Sequence, residues 1–217
     1  MYLEIKDNSF IVLDSKPLIF NKDIKVDRDT LFETIRLRDG EFFNLELHQQ
    51  RVDYSYKELF KSKSKLNLRT IFKSYPKEGL YGVKVIYNKD GLLDISYTPY
   101  KKKRIKSIAL VEVGNIEYSF KFLDRRVFDS LYKRYPNFDE FIITTNGYLR
   151  DTTIANIALF SKDWITPTYP LLKGVMRQKY LNEKRLIKKM IHYSNLKEYS
   201  KIATLNAMVD FNILKEE

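Results

Sequence analysis

The stretch "LFETIRLRDGEFFNLELHQQRV", residues 31–52, contains the change of hydrophobic period that decides the fold. Residues 30–45 alternate between apolar and polar side chains and are interrupted at Asp39-Gly40, a dipeptide typical of hairpin turns. From residue 46 onward the period changes, and Leu47, Arg51 and Tyr54 recur with the spacing of one helix face. The stretch therefore predicts a β-hairpin followed by a helix.

The sequence on both sides of this stretch is also rich in strand signals. Residues 9–20, "SFIVLDSKPLIF", predict a strand, a turn and a strand. Residues 79–100 predict a hairpin, because two alternating runs flank the turn residues 88–91. Pro99 and the basic run "KKKRIK" at residues 101–106 then favour a linker. Residues 1–100 are therefore predicted to form a small N-terminal α+β domain.

The second half of the chain mixes strand and helix signals, without internal repeats or low-complexity tracts. Its pattern predicts a second α+β domain over residues 101–217. The predicted elements are a strand at 107–113, a helix within 123–135, three strands separated by turns within 139–168, a helix at 174–191, and a strand and turn within 200–214.

Composition limits the possible chemistry. The chain has 217 residues, of which 44% are hydrophobic, and it has no cysteine and two histidines. Disulfides and thiolate metal sites are excluded, and neither a histidine-rich metal site nor a Ser-His-Asp triad is predicted. We expect a cytoplasmic protein, because the N-terminus does not resemble a signal peptide and no apolar run is long enough for a membrane span.

The net charge of +11 allows two interpretations. It is compatible with attraction to nucleic acid or to an anionic small molecule. It is also compatible with a lysine-rich proteome, because the basic residues are spread along the whole chain. No zinc finger, RNA-recognition signature or KH loop is present, so nucleic acid is not an expected partner.

A lysine stands between two phenylalanines in "FKFLDRRVF", residues 120–128. A charged amine in apolar surroundings is costly unless it reaches water or loses its proton. Desolvation by Phe120 and Phe122 and a nearby cation such as Arg125 lower the pKa of Lys121, which suits a lysine nucleophile. Asp151, Gly174 and Asn206-Ala207 are further candidates, although each taken alone is typical of an ordinary turn or helix start.

Together these segments resemble the fold-type IV pyridoxal-phosphate enzymes, the family of branched-chain and D-amino acid aminotransferases and 4-amino-4-deoxychorismate lyase. The resemblance extends from "LFET" near residue 31 to "TLNAMV" near residue 209. It implies an α+β fold with a small N-terminal α/β domain and a larger β-rich C-terminal domain that binds the cofactor. It also implies a homodimer and pyridoxal 5′-phosphate as the cofactor.

The resemblance also implies the site residues. "HQQR" is similar to an H-x-x-R pattern whose arginine holds the cofactor phosphate, here Arg51. "KFLDR" is similar to K-x-L-N-R, whose lysine binds the cofactor covalently, here Lys121. "RDTTIAN" is similar to T-E-x-x-x-x-N, whose acid faces the pyridine nitrogen, here Asp151. A carboxylate opposite that nitrogen keeps it protonated and makes the cofactor an electron sink.

Two further segments resemble phosphate-binding parts of the family. "GVMR" is similar to G-I-x-R, which implies that the backbone amides of Val175 and Met176 bind phosphate at a helix N-terminus. "LNAM" resembles the C-N-A-L-M run of the lyase, which implies a phosphate contact near Asn206 and Ala207.

The chain departs from the family pattern at three points. "VDRDTLFET" lacks the usual glycine, aspartate replaces glutamate at residue 151, and Met176 stands where many relatives have threonine. The aspartate is one methylene shorter than glutamate, so its reach to the pyridine nitrogen is reduced. The methionine removes a hydroxyl contact to phosphate but keeps the amide.

Within the family, Arg125 four residues after the lysine, "GVMRQ" and "LNAM" favour the lyase, which forms 4-aminobenzoate and pyruvate on the route to folate. Lys121 would anchor the cofactor and then act as general base. Arg28 and Arg36 are candidates for binding the anionic substrate. The alternatives are a branched-chain or D-amino acid aminotransferase, a catalytically impaired relative that binds the cofactor only, and a nucleic-acid-binding module.

Overall fold

The computed structural model describes residues 1–6, 9–12, 17–20, 27–114 and 116–214, and they form an α+β fold. Among their helices, none has the length and apolar character that a membrane span requires. The strands are β1 (Tyr2–Lys6), β2 (Ser9–Val12), β3 (Leu18–Phe20), β4 (Leu31–Arg38), β5 (Glu41–Phe42), β6 (Leu80–Asn88), β7 (Gly91–Pro99), β8 (Ser107–Val113), β9 (Glu140–Thr145), β10 (Tyr148–Thr152), β11 (Asn156–Phe160), β12 (Trp164–Pro167), β13 (Ile187–Lys189), β14 (Lys201–Asn206) and β15 (Asp210–Ile213). The helices are α1 (Leu45–Glu58), α2 (Leu68–Ile71), α3 (Arg126–Arg134), α4 (Val175–Asn182) and a 3₁₀ helix at Tyr193–Glu198.

The chain divides into two compact units that are not sequential. Unit 1 comprises Met1–Lys25, Lys103–Glu117 and Arg126–Glu217, and unit 2 comprises Val26–Lys102 and Tyr118–Arg125. These units differ from the predicted domains 1–100 and 101–217 at two segments. The N-terminal segment belongs to unit 1 because β1 pairs with β8. The segment at 118–125 belongs to unit 2 because Phe122 forms a β-bridge with Leu31.

Unit 2 is built on the sheet β5-β4-β6-β7, in which neighbouring strands are antiparallel. Asp39 and Gly40 both have positive φ and connect β4 to β5, as the predicted hairpin requires. Helix α1 follows at Leu45–Glu58, which confirms the predicted change of period. The hairpin β6-β7 is confirmed as well, with its turn between Asn88 and Gly91.

One face of this sheet is covered by α1. Alternation along β4 and β6 places one set of side chains on that face, and the helix contributes its own apolar stripe. Tyr56 of α1 stacks on Tyr87 of β6 with ring centroids 6.0 Å apart, and its hydroxyl donates to the carbonyl of Asn88 at 2.7 Å. The fully buried members of this core include Leu31, Ile35, Leu37, Val52, Tyr56, Val83, Val85 and Tyr87.

Unit 1 contains two sheets. In one, the strand order is β10-β9-β8-β1-β2, with β3 also paired to β8. In the other, the order is β13-β12-β11-β14-β15. A buried cluster contains side chains from both sheets, and it includes Leu3, Ile108, Leu110, Ile142, Leu149, Ile157, Leu159 and Ile202.

The helix predicted over residues 174–191 is too long. Helix α4 ends at Asn182, and Lys184 has a positive φ of 56°, which a continuing right-handed helix does not allow. Residues 187–189 instead form β13, which pairs in parallel with β12. The apolar and basic residues after α4 keep a helix-like spacing, but pairing with a distant strand determines their conformation.

Candidate active site

Lys121 is positioned by hydrogen bonds between its segment and the start of β4. The amide of Phe32 donates to the carbonyl of Lys121 at 3.0 Å, and the amide of Leu123 donates to the carbonyl of Thr30 at 2.9 Å. Phe120 stacks on Tyr54 of α1 with ring centroids 5.8 Å apart. These contacts hold the segment on both sides of Lys121, so the lysine has a defined place in unit 2.

The amine of Lys121 is half-buried beside an aromatic ring. Its Nζ lies 4.3 Å from the ring centroid of Phe32. Burial and the nearby charges of Arg51, Arg125 and Lys84 lower the pKa of Lys121 to about 7, although the charge of Glu33 acts in the opposite direction. The sequence analysis expected desolvation and Arg125 to lower the pKa of Lys121, and both contribute. The ring next to the amine is Phe32, which the sequence pattern did not suggest.

Arg51 and His48 meet at a buried carboxylate. Arg51 donates from Nε to Oε1 of Glu33 at 2.8 Å and from Nη2 to Oε2 at 2.5 Å. His48 Nδ1 is 2.5 Å from the same Oε2. We call Glu33, His48 and Arg51 the Glu33 cluster. It orients Arg51 by a two-point contact, the geometry that fixes a guanidinium best.

The charges in the Glu33 cluster are strongly coupled. Burial would raise the pKa of Glu33, but Arg51 and His48 together lower it to about 2. The pKa of His48 is lowered because burial outweighs the attraction of Glu33. At neutral pH the pair is therefore a carboxylate and a guanidinium, with a neutral imidazole. Arg51 has five N–H donors, and the two on Glu33 leave others for an anion.

Asp151 lies at the end of β10 in unit 1 and is 4% exposed. Its Oδ1 accepts from Asn156 Nδ2 at 2.7 Å, and its Oδ2 accepts from the amide of Leu172 at 2.9 Å. Burial raises the pKa of Asp151 to about 6, although these hydrogen bonds and the charge of Arg177 oppose the rise. At neutral pH the carboxylate is therefore mostly ionised.

Asn156 connects Asp151 to the start of α4. Its Nδ2 also donates to the carbonyl of Leu172 at 2.8 Å. A Cβ added to Gly174 would lie 2.0 Å from Asn156 Oδ1, so glycine is required for this close approach. We call Asp151, Asn156, Leu172 and Gly174 the Asn156 cluster. Val175 and Met176 are the first two residues of α4, so their backbone amides lie at the N-terminus of the helix.

Asn206 closes the turn after β14 next to this cluster. Its Oδ1 accepts from the amides of Met208 and Val209 at 2.9 and 3.0 Å, and its Nδ2 donates to the carbonyl of Ile154 at 3.4 Å. Ala207, in the same turn, is buried. Strands β11 and β14 pair here, so the turn lies near Asn156.

The structure thus brings the predicted residues together in two groups. Arg51 and Lys121 lie together in unit 2. In unit 1, the Asn156 cluster and its neighbours bring together Asp151, Val175, Met176, Asn206 and Ala207. The roles of these residues toward a cofactor remain predictions.

Two site residues were missed by the sequence reasoning. Glu33 could have been found from the sequence, because it is an acid at one of the alternating positions that face the core. The other core-facing positions of the strand are Leu31, Ile35 and Leu37. Lys84 could not have been found from the sequence, because its position opposite Thr34 depends on the pairing of β4 with β6.

Comparison with known proteins identifies the family. No family model matches the chain. An uncharacterized protein from Haemophilus influenzae is 30% identical over 182 residues, which cover 82% of this chain and 97% of that protein. A crystal structure from Haemophilus somnus, provisionally named a 4-amino-4-deoxychorismate lyase, is 33% identical. The match covers 85% of this chain and 98% of that chain, with a TM-score of 0.74.

A more distant solved structure shares the fold. The hypothetical aminotransferase from Mycobacterium tuberculosis, in its PLP-bound form, is 16% identical, and the match covers 99% of this chain and 90% of that chain with a TM-score of 0.70. The fold, the half-buried lysine and the likeness to the Haemophilus somnus protein agree with one another. This chain belongs to the fold-type IV pyridoxal-phosphate enzymes.

Proposed function

We propose that this protein is a pyridoxal-phosphate-dependent lyase that converts 4-amino-4-deoxychorismate to 4-aminobenzoate and pyruvate, a step in folate biosynthesis. The observation that carries the proposal is the half-buried Lys121 amine, which lies 4.3 Å from the ring centroid of Phe32. Burial there and the charge of Arg51 lower its pKa to about 7, which suits a nucleophile and base at neutral pH. The lyase assignment is supported by "KFLDR", "GVMRQ" and "LNAM" and by the likeness to the Haemophilus somnus protein.

The residues present fit pyridoxal 5′-phosphate. When bound, it supplies an electrophilic carbonyl carbon and an electron-accepting ring. Arg51 retains N–H donors beyond the two on Glu33, and the start of α4 offers backbone amides; both suit a phosphate group. Asp151 is a buried carboxylate whose fixed donors leave lone pairs for a ring N–H. Lys121 is the amine that would bind the carbonyl carbon.

Lys121 then performs two tasks in turn. As a neutral amine it would hold the carbonyl carbon of the cofactor, and once free it would accept the proton from the substrate ring carbon beside the substrate amine. Arg51 and Arg125 keep the proton affinity of Lys121 low, while Glu33 moderates their effect. Asp151, ionised above pH 6 or so, holds a proton at the pyridine nitrogen.

The proposed partners follow from the same assignment. We propose an anionic small molecule as the substrate, which the net charge of +11 favours. A homodimer in the cytoplasm is proposed on the family resemblance, and neither nucleic acid nor a membrane is proposed as a partner.

A coupled assay for 4-aminobenzoate tests the proposal. The protein is incubated with 4-amino-4-deoxychorismate and pyridoxal 5′-phosphate, and Lys121→Ala is compared with Lys57→Ala, an exposed lysine of α1. We expect Lys121→Ala to abolish both product release and the visible absorption band that forms on adding the coenzyme, whereas Lys57→Ala keeps both. Keto-acid-dependent amino transfer in place of 4-aminobenzoate release would instead identify an aminotransferase. A visible band without either reaction would identify an impaired relative.

The pH dependence of band formation provides a second test. Because the pKa of Lys121 is about 7, the neutral amine becomes the main form as pH rises through 7. Between pH 6 and pH 7 the rate of band formation is expected to rise roughly fivefold. A rate that keeps rising about tenfold per pH unit up to pH 9 would mean that Lys121 is an ordinary charged lysine.

A further inference from the structure

Unit 1 contains a cleft of about 410 Å³, a volume typical of small-molecule sites. Its lining comes from the end of β9, from β10, from the segment after β12 and from the end of β13. Two backbone hydrogen bonds join these walls: Leu149 donates to the carbonyl of Ile191 at 2.8 Å, and Thr168 donates to the carbonyl of Lys189 at 3.1 Å. None of the predicted cofactor-binding residues is among the described residues that line it.

Two cations line the cleft, Arg150 and Lys189, and the described lining includes no acidic residue. The guanidinium of Arg150 is held in place, because its Nε donates to the carbonyl of Tyr169 and its Nη2 donates to the carbonyl of Pro170 at 3.3 Å. These two bonds leave three of its five N–H donors. A guanidinium fixed in this way beside an exposed lysine suits a carboxylate, which it can bind through two parallel N–H bonds.

The other notable lining side chains are large and apolar. Tyr148, Tyr169 and Met190 all line the cleft and all belong to the exposed large hydrophobic side chains, with Tyr169 the most exposed of the three at 63%. Apolar side chains gathered on one exposed concave surface mark a binding site. Tyrosine rings stack with other aromatic rings, and a methionine sulfur contacts ring edges favourably. These side chains suit a flat aromatic body better than a bare inorganic anion.

We propose that this cleft binds an aromatic carboxylate at a site separate from the candidate active site. The carboxylate pairs with Arg150 and Lys189, and the ring packs against Tyr148, Tyr169 and Met190. 4-Aminobenzoate belongs to this chemical class, but the inference does not depend on the proposed lyase function, because the cleft and its charges exist without it.

Photolabelling with 4-benzoylbenzoate, an aromatic carboxylate, tests the assignment. Its excited ketone removes a hydrogen atom from a nearby C–H group, and the two radicals then join, so the adduct marks the site. The full-length protein is irradiated with increasing probe, with and without pyridoxal 5′-phosphate, and its tryptic peptides are analysed by mass spectrometry. We expect saturable labelling of residues 190–197, the peptide that begins with Met190. Benzoate should displace the probe, and benzyl alcohol, which has the ring without the charge, should not.

Two lysines on one strand provide a matched pair of variants. Alternation along β13 places Lys188 and Lys189 on opposite faces, and Lys189 alone of the two lines the cleft. We expect Lys189→Met to raise the benzoate concentration for half-displacement about threefold and Lys188→Met to leave it unchanged. Arg150→Met should raise it about tenfold or more, because the guanidinium supplies charge-assisted bonds. If that variant folds poorly, the lysine pair decides the question.

Three outcomes overturn the assignment. These are labelling of residues 190–197 that is absent or does not saturate, equal displacement by benzoate and benzyl alcohol, or equal shifts in Lys188→Met and Lys189→Met. The visible band formed with the coenzyme reports on the proposed function separately. A band without saturable labelling means that this inference fails and the proposed function stands. Saturable labelling that depends on Lys189, in a protein that forms no band, means the reverse.

Discussion

Two carboxylates, one in each unit, are almost equally buried yet ionise in opposite ways. Glu33 is 0% exposed and its pKa is lowered to about 2, whereas Asp151 is 4% exposed and its pKa is raised to about 6. Burial alone raises the pKa of both, because it disfavours the charged form. The difference therefore comes from the groups that surround each carboxylate.

Glu33 accepts two hydrogen bonds from a guanidinium, so a full positive charge lies within 2.8 Å of its oxygens. Asp151 accepts from an amide side chain and a backbone amide, which carry no net charge. Arg177 lies near enough to act on Asp151, but its own donors reach Thr166 and the carbonyl of Pro167. The comparison teaches that at matched burial the charge of the donor decides the sign of the pKa shift.

The largest effect is expected from removing the charge of Glu33. Glu33→Gln leaves the guanidinium of Arg51, whose side chain is 12% exposed, without a counter-charge. We expect the free energy of unfolding to fall by about 3–5 kcal/mol at pH 7, measured by urea denaturation. Glu46→Gln is the matched control, because it breaks an ion pair with Arg69 that is exposed on both sides. That change should cost about 1 kcal/mol or less, and equal losses would show that burial does not strengthen the Glu33 pair.

An intermediate effect is expected from Asp151, with a sign opposite to that of Glu33. Because its folded pKa of about 6 exceeds the ordinary 3.8, its contribution to stability is fully present below pH 3.8 and lost as pH rises through 6. Glu33, lowered from 4.5 to about 2, contributes stability above pH 4.5 that is lost as pH falls toward 2. Asp151→Asn should therefore gain up to about 3 kcal/mol relative to wild type between pH 4 and pH 7.

Urea denaturation at each pH unit from 4 to 7 measures how the free energy of unfolding of each protein changes with pH. This pH dependence is more informative than the stability at a single pH. The side-chain amide of Asp151→Asn would face the backbone amide donor of Leu172, and that contact affects the variant at every pH. Asp163→Asn, at an exposed turn of the same unit, should run parallel to wild type. A constant offset between Asp151→Asn and wild type across this range would show that the Asp151 carboxyl titrates like an exposed one.

The smallest effect concerns Gly174 and tests how tightly the Asn156 cluster is packed. Its φ of −68° suits any residue, so Gly174→Ala tests space alone. With its Cβ placed 2.0 Å from Asn156 Oδ1, we expect a loss of about 1–3 kcal/mol in unfolding free energy. Combining it with Asn156→Ala should cost less than the two single losses together. Gly114→Ala, which meets nothing within 4 Å, should have little effect, and a similar loss there would remove the packing explanation.

The sequence predicts the local elements of unit 2 well. Asp39-Gly40 and the turn from Asn88 to Gly91 need positive φ and lie between alternating runs, so local chemistry identifies both hairpins. The start of α4 is also local, because Gly174 precedes it directly. Grouping Lys121 with Arg51 came from the family resemblance, and the structure places both beside Glu33.

The remaining features depend on contacts between distant residues. Strand β13 forms because β12 offers a parallel partner, and β1 belongs to unit 1 because it pairs with β8. Lys84 lies beside Phe32 because of the register between β4 and β6. The helix and strand propensities of single residues do not indicate which distant strands will pair. Reasoning from one sequence therefore extends the α4 helix too far and overlooks Lys84.

The segment Tyr118–Arg125 has a consequence for how this chain emerges from the ribosome. Unit 2 is complete only when these eight residues are added to Val26–Lys102, so Leu31 at the start of β4 must wait for its bridge partner Phe122 while about twenty more residues are synthesised. A fragment cut near residue 102 would lack that partner permanently, and its N-terminal strand would have lost β8, so both would expose unpaired backbone groups. Such a fragment should self-associate, and the two units should be produced as one uninterrupted polypeptide.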